Sequence, residues 1–102
     1  IGTIMMAHVL NLIMRSQAPH TLLLPMIKSY SDNWWKQEGQ DQVRAGVEKP
    51  ATRNPLVQQL GIDASDLEQT GDALATRAVY GLVAKKILRI QRAGGAANVR
   101  FA

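Results

Sequence analysis

A chain of 102 residues, 46% of them hydrophobic, has room for one small domain and not for two. It contains no cysteine, which excludes disulfides and thiolate metal sites. All eight carboxylates lie between Asp32 and Asp72, and the residues after Asp72 carry six cations and no acid. Such a basic segment favours a polyanionic partner over a small-molecule substrate.

The N-terminal part of the chain predicts two helices. Apolar residues repeat at spacings of three and four between Thr3 and Ser16, which indicates the first. The second is expected from about His20 to Gln37, with Pro19 in its first turn and Pro25 as a kink or break. The apolar run from Ile4 to Met14 is shorter than the roughly 20 residues that span a bilayer.

Two adjacent tryptophans, Trp34 and Trp35, stand near the end of the second predicted helix. Neighbouring residues on a helix point about 100° apart, so at most one of the two faces a single core. Base stacking and a membrane interface are alternative roles. Because large aromatic side chains more often anchor a core or a subunit contact, we expect a subunit contact at this pair.

The rest of the chain predicts a loop followed by helices. Residues 39–54 combine glycine, proline and polar residues, so a loop with at most a short helical turn around residues 42–47 is expected. A short helix is expected from Pro55 to Leu60. Ser65-Asp66-Leu67-Glu68 has the spacing of a capping box at a helix start. A long helix is therefore expected from about Asp66 to Gln91, ended by Gly94-Gly95 and followed by a short basic tail.

The sequence predicts an all-α fold, because no segment shows persistent alternation of apolar and polar residues. The expected architecture is a set of kinked N-terminal helices, a central loop and a long basic C-terminal helix. One domain would comprise an apolar helical arm (1–38), a loop (39–54) and a helical core with a basic tail (55–102). Domains of this size are marginally stable alone, so oligomerisation is expected to add stability.

The long predicted helix has an apolar side and a basic side. A solvated face of an amphipathic helix is the ordinary explanation for the basic side, but ordinary exposed helices mix both signs of charge. The absence of acids after Asp72 therefore favours a surface that binds phosphates. The predicted nucleic-acid-binding residues are Arg77, Lys85, Lys86, Arg89, Arg92 and Arg100.

Small residues also recur at spacings of three or four on this predicted helix, at Gly71, Ala75, Ala78 and Gly81, and close packing is predicted at Gly71, Ala78 and Gly81. Their spacing lets another backbone come close. Ordinary packing between helices is the first explanation, and close approach to a nucleic-acid backbone or to a neighbouring subunit is the alternative.

Other site types find little support. A helix-turn-helix around residues 56–70 would present the carboxylates of Asp63, Asp66, Glu68 and Asp72 to DNA phosphates, which would repel them. His8 and His20 have no partner at metal-ligand spacing, so neither a metal nor a cofactor is expected. The chain also has no phosphate-binding loop, nucleophile elbow or Ser/His/Asp grouping, so it is not expected to be an enzyme.

The C-terminal segment has a specific pattern. Gln59-Leu60-Gly61-Ile62 precedes the long predicted helix, Arg77-Ala78-Val79-Tyr80 lies within it, and a basic stretch follows up to Gly94-Gly95-Ala96. This pattern resembles the major capsid proteins of filamentous archaeal viruses (rudiviruses, lipothrixviruses and relatives), over about 40 residues. Those proteins usually continue with another apolar helix beyond this turn, and the first 55 residues show no clear match.

The resemblance implies a structural nucleoprotein of the virion, assembled in the host cytoplasm. Its helical subunits would form dimers, with itself or with a paralogous subunit. These dimers would wrap double-stranded DNA, held in the A-form, in a helical filament. Arg77, Lys85, Lys86, Arg89 and Arg92 would face phosphates, and Ala78 and Gly81 would allow close approach. A lipid envelope is left open. The alternative is a small non-catalytic accessory subunit of a larger protein or membrane complex.

Overall fold

The computed structural model describes residues 3–48 and 64–102. In chain order these form helix α1 (Thr3–Arg15), strand β1 (Thr21–Leu23), helix α2 (Leu24–Trp34), a π turn (Trp35–Gly39), helix α3 (Gln40–Glu48), a 3₁₀ turn (Ala64–Glu68), helix α4 (Gly71–Ala84) and strands β2 (Leu88–Ala93) and β3 (Ala96–Phe101). The molecule is therefore an α+β domain, and the all-α prediction is wrong.

The three strands form one antiparallel sheet in the order β1-β3-β2. Gly94 and Gly95 join β2 to β3, with φ angles of 61° and 87°. Positive φ at both central residues is typical of the two-residue turn whose twist matches a hairpin. The glycines expected to end a helix therefore reverse the chain between two strands. A Cβ placed on either one would meet nothing within 4 Å, so the turn projects into open space.

The long basic helix predicted up to Gln91 stops after Ala84 because the chain turns left-handed at Lys86, where φ is 62°. The amide of Ile87 donates to the carbonyl of Leu82 at 3.0 Å, and that of Lys86 donates to Val83 at 2.9 Å. Together these two bonds form a Schellman ending, with lysine at the position that glycine usually takes.

Helix α4 also begins later than expected. Its N-cap is Thr70, whose hydroxyl accepts a hydrogen bond from the amide of Ala73 at 3.1 Å. The predicted capping box at residues 65–68 forms a separate 3₁₀ turn instead. Helix α4 thus contains a single carboxylate, Asp72, at its positively polarised end, where a negative charge is favourable.

The predicted second helix is divided. Residues 21–23 form strand β1, and Pro25 lies in the first turn of α2, where its missing N–H costs nothing, so it does not kink the helix. The Ala18-Pro19 peptide bond is cis. Part of the expected loop is helical, because α3 continues to Glu48. The short helix predicted from Pro55 lies outside the described residues.

The core lies between the helices and the inner face of the sheet. Trp35 is 1% exposed, and its indole N–H donates to the carbonyl of Gln69 at 3.1 Å, which satisfies its one polar atom. The buried apolar side chains include Met5, Val9 and Ile13 from α1, Ile27 from α2, Leu74, Val79 and Leu82 from α4, and Leu88 and Val99 from the sheet.

Candidate nucleic-acid interface

Alternation along the strands separates the sheet into an apolar inner face and a polar outer face. Leu88 and Val99 are buried on the inner side, where Ile90 pairs with Val99. The intervening residues point outward because successive side chains of a strand alternate between faces. The outer polar residues, in paired positions across the three strands, are Thr21, Arg89, Gln91, Asn98 and Arg100.

Two arginines lie directly opposite each other on this outer face. Arg89 of β2 pairs with Arg100 of the central strand, an arrangement that is destabilising for like charges. The Nε atom of Arg100 is shielded from solvent and has no hydrogen-bond partner. The ion pairs between described side chains include neither arginine. This pair therefore forms a site where a bound anion would relieve repulsion and satisfy a donor.

Helix α4 presents a second surface. Ala73, Arg77 and Tyr80 are exposed at spacings of four and three residues, and Thr76 is half-buried beside them. Arg77 donates from Nη1 to the side-chain oxygen of Gln69 at 3.0 Å, which holds the guanidinium near the start of the helix. This face thus carries a cation, a hydroxyl and a phenol, which are side chains that contact base edges and phosphates.

Three of the carboxylates near α4 are engaged within the protein. Asp32 pairs with Lys36 at 3.0 Å and accepts the amide of Asp72 at 3.2 Å. The hydrogen bond from Lys36, with help from that amide, lowers the pKa of the Asp32 carboxyl. Asp72 pairs with Lys28 at 3.6 Å, and Asp66 is buried. Asp32, Asp66 and Asp72 are therefore buried or paired within the protein, whereas Glu68, just before α4, is exposed.

Gly71 fixes the contact between α2 and α4. A Cβ at this position would lie 2.6 Å from the Cα of Asp32, 2.6 Å from the Cβ of Trp35 and 2.8 Å from the carbonyl oxygen of Ser31. The end of α2 therefore abuts the first turn of α4. Gly71 serves packing between helices within the chain, the ordinary alternative for this residue.

Two further pairs of residues were predicted to pack closely or to form a subunit contact, and in each pair one residue is buried and the other is half-buried. Ala78 is buried in the core, and Gly81 is half-buried on α4. Trp35 points into the core, whereas Trp34 is half-buried and stacks on His8. One tryptophan of the pair therefore faces the core, as the helical spacing predicts.

The predicted cations do not form one stripe. Lys85 and Lys86 are exposed where α4 ends, and Arg77 lies on α4 itself. Arg92 is exposed but pairs with Ala97, which places it on the sheet face opposite Arg89. Strand pairing places Arg89 directly opposite Arg100.

Sequence analysis missed Thr21, Gln91 and Asn98, which flank the two opposed arginines in the sheet. The alternation Leu88-Arg89-Ile90-Gln91 was the available signal for β2. The sequence contains no local signal for the pairing of Thr21 with Arg100, because this pairing joins distant parts of the chain.

The described part of the chain contains no cluster of His, Asp or Glu that could hold a metal ion. Within the same residues, no helix has the length and apolar character needed to cross a membrane. Comparison with protein-family models, curated proteins and solved structures gives no match.

Proposed function

We propose that this protein binds double-stranded DNA through the exposed face of α4 and the outer face of the β2–β3 hairpin. The observation that carries the proposal is the acid-free segment from Ala73 to Ala102, which supplies both surfaces. Among the residues that the structure describes, no carboxylate forms an ion pair with either of the two opposed arginines.

The order of the elements supports this proposal. Helix α2 ends against the first turn of α4, and a hairpin that closes a sheet with β1 follows. By topology this arrangement is similar to winged helix-turn-helix DNA-binding domains, a likeness that concerns the fold alone. The major groove admits an α-helix, so Thr76, Arg77 and Tyr80 would meet base edges there. The arginines of the hairpin would contact phosphates, which position the protein without reading sequence.

Packaging of DNA in a virion filament is a narrower form of the same proposal. It rests on the resemblance, which implies a continuous basic helix over a segment where β2 lies. The geometry therefore supports duplex binding better than filament assembly. Duplex length distinguishes the two forms. If the number of bound chains rises in proportion to the length of the DNA until the duplex is coated, packaging is favoured. If discrete complexes form, a DNA-binding domain with a defined footprint is favoured.

The first test is the salt dependence of binding to a short labelled duplex, followed by fluorescence anisotropy. Wild-type affinity should fall with salt, and Arg89→Ala should reduce the salt slope by about one because one phosphate contact is lost. The matched control is Arg44→Ala, since Arg44 is exposed on α3 and is paired with Asp41 at 2.9 Å. It should leave the slope unchanged.

A second variant addresses the helix. Arg77→Ala should weaken binding by about 1–3 kcal/mol if its guanidinium meets a base edge, and should reduce discrimination between duplexes of different sequence. Binding that is absent at low salt, or equal losses for Arg77→Ala, Arg89→Ala and Arg44→Ala, would contradict the proposal. Stronger binding to double-stranded RNA than to DNA would mean that double-stranded RNA, and not DNA, is the ligand of these surfaces.

A further inference from the structure

The outer surface of α1 carries a polar stripe beside an apolar stripe. The polar stripe comprises His8, Asn11 and Arg15, and the apolar stripe comprises Ala7, Leu10 and Met14. Each stripe repeats at spacings of three and four residues, and residues so spaced are neighbours on the surface of a helix. The side chain of Met14 is 62% exposed, so the apolar stripe is open to a ligand.

Both stripes line a groove of about 820 Å³. Its lining also includes Trp34 of α2, Glu38 of the π turn and Gln42 of α3. A volume of this size is in the range of small-molecule sites, which are mostly apolar and contain a few polar groups that orient the ligand. The surfaces proposed for DNA lie on other elements, α4 and the β2–β3 hairpin.

Two contacts fix the indole of Trp34 in the groove. It stacks on His8 with ring centroids 4.0 Å apart. It also packs against Gly39, where a Cβ would lie 2.6 Å from the Cζ3 atom of Trp34. Gly39 ends the π turn, and isolated π turns are frequent at functional sites. This part of the groove is therefore formed before a ligand binds, which reduces the entropic cost of binding.

Two opposite charges in the groove lie near the same imidazole. Burial lowers the pKa of His8, Glu38 raises it and Arg15 lowers it, so both charged groups act on this ring. Both are exposed, and neither forms an ion pair with the other or with any other residue that the structure describes. Because the pKa of His8 lies below 6.5, this ring is uncharged near neutral pH. The lining then carries one unpaired cation and one unpaired anion.

We propose that the groove binds a free α-amino acid with a large apolar side chain. The carboxylate of the ligand pairs with Arg15, and its ammonium group pairs with Glu38. The side chain of the ligand lies along the apolar stripe. This inference goes beyond DNA binding and does not depend on it.

Charge complementarity selects this class of ligand. An α-amino acid carries its two charges on groups attached to one carbon, so a single small molecule can meet a cation and an anion that both lie beside one ring. Glu38 would repel a polyanion, and a purely apolar ligand would remove water from both charges without replacing it. A guanidinium can also hold a carboxylate through two parallel hydrogen bonds, which favours a carboxylate at Arg15.

The first experiment titrates the whole chain with L-leucine in the absence of DNA, followed by isothermal titration calorimetry and tryptophan fluorescence. Leucine should bind saturably and change the emission of Trp34, which lines the groove, whereas Trp35 is buried in the core. N-acetyl-L-leucine lacks the ammonium group and L-leucinamide lacks the carboxylate. Each should therefore bind roughly tenfold more weakly than leucine, because one charged contact is lost.

The decisive experiment pairs each analogue with the variant that removes its missing partner. Arg15→Gln should weaken leucine binding roughly tenfold and leave leucinamide binding unchanged, because leucinamide has no carboxylate. Glu38→Gln should weaken leucine binding to a similar extent and leave N-acetyl-leucine binding unchanged. If either residue had only a structural role, its variant would weaken all three ligands alike. Arg44→Gln is the control for loss of charge, since Arg44 is exposed on α3 and paired with Asp41. It should bind all three ligands as the wild type does.

The apolar stripe is tested by a separate pair of variants. Met14→Ala should weaken leucine binding severalfold, because it removes apolar surface that the ligand side chain covers. Met26→Ala is the matched control, since Met26 is also exposed, at 38%, but lies on α2 outside the lining of the groove. It should leave leucine binding unchanged.

Several outcomes would overturn the proposal. One is a wild type that binds neither L-leucine nor L-phenylalanine. Another is equal binding of leucine and its two analogues, which would mean that the charges of the groove do not contact the ligand. Sedimentation that shows a dimer dissociated by Met14→Ala, without leucine binding, would assign the groove to a second copy of the chain. Circular dichroism on each variant separates loss of binding from loss of the fold.

Discussion

The imidazole of His8 stacks on the indole of Trp34, with ring centroids 4.0 Å apart and planes inclined by 8°. This contact joins α1 to the end of α2. The Nε2 atom of His8 is buried and has no hydrogen-bond partner. Burial lowers the pKa of His8 from 6.5, and the nearby Arg15 lowers it further, whereas Glu38 opposes them.

A pH dependence of stability follows from this lowered pKa. The folded state binds the His8 proton less tightly than the unfolded state, so protons favour unfolding between the folded pKa and about pH 6.5. Urea midpoints should therefore fall as pH drops through 6.5 and continue to fall until the folded pKa is passed. His8→Phe keeps an aromatic ring against Trp34 and should flatten this part of the profile.

His20→Gln serves as the control for this pH profile, since His20 is the other histidine and is exposed. The variant should keep the decline seen in the wild type. An unchanged slope in His8→Phe would mean that carboxylates, rather than His8, control stability in that range.

Lys86 offers a route to higher stability. An L-residue in the left-handed region costs roughly 1–2 kcal/mol, and glycine avoids this cost but loses 0.5–1 kcal/mol of entropy on folding. With φ at 62°, Lys86→Gly should stabilise the domain by about 0.5–1 kcal/mol. Chemical denaturation measures this change.

Lys85→Gly is the matched control, because Lys85 precedes the turn with φ at −81° and has no strain to relieve. Removing this lysine should destabilise the domain, since glycine there gains nothing and costs entropy. If both variants destabilise the domain equally, the left-handed conformation of Lys86 does not carry the free-energy cost that this prediction assumes.

The same residue explains why the long helix was wrongly predicted. Helix stops are recognised in a sequence by glycine or proline, and lysine at this position gives no such signal. The alternation after it is short, and its meaning depends on the pairing of β2 with β3, which in turn pairs with β1 from the other end of the chain. Local pattern cannot supply a partner strand that is distant in sequence.

Other features were predictable from local spacing. The first helix, expected over residues 3–16, is confirmed as α1, because its apolar repeat is continuous. The different directions of Trp34 and Trp35, of which only Trp35 is buried in the core, also follow from the roughly 100° between neighbouring residues of a helix. Charge segregation alone predicts the cations of the candidate site. It does not predict which of these cations lie opposite each other, because a helix and a hairpin arrange the same residues differently.

Gly71→Ala tests the contact between α2 and α4. The added methyl would meet the backbone of Asp32 at 2.6 Å, and backbone cannot move aside as a flexible side chain can. We expect a loss of about 1–3 kcal/mol from overpacking, measured by urea unfolding. Ala73→Ser, at an exposed position two residues further along α4, is the control and should change stability little. A neutral Gly71→Ala would show that the two helices separate easily.

The opposed arginines allow a prediction in which stability and binding change in opposite directions. Arg89→Thr removes like-charge repulsion against Arg100 and places a β-branched residue in the strand, so it should stabilise the domain by about 0.2–1 kcal/mol. The same change removes a phosphate contact and should weaken DNA binding at low salt.

Arg92→Thr, which lies on the other face opposite Ala97, controls for loss of charge and should not gain the stability that comes from relieving repulsion. Thermal unfolding and anisotropy on both variants check the pair of effects. A variant Arg89→Thr that loses both stability and binding would mean that the two arginines are held in place by contacts that support the fold. Gain of stability with loss of binding is the signature expected of a surface kept unfavourable in the free protein because its ligand is an anion.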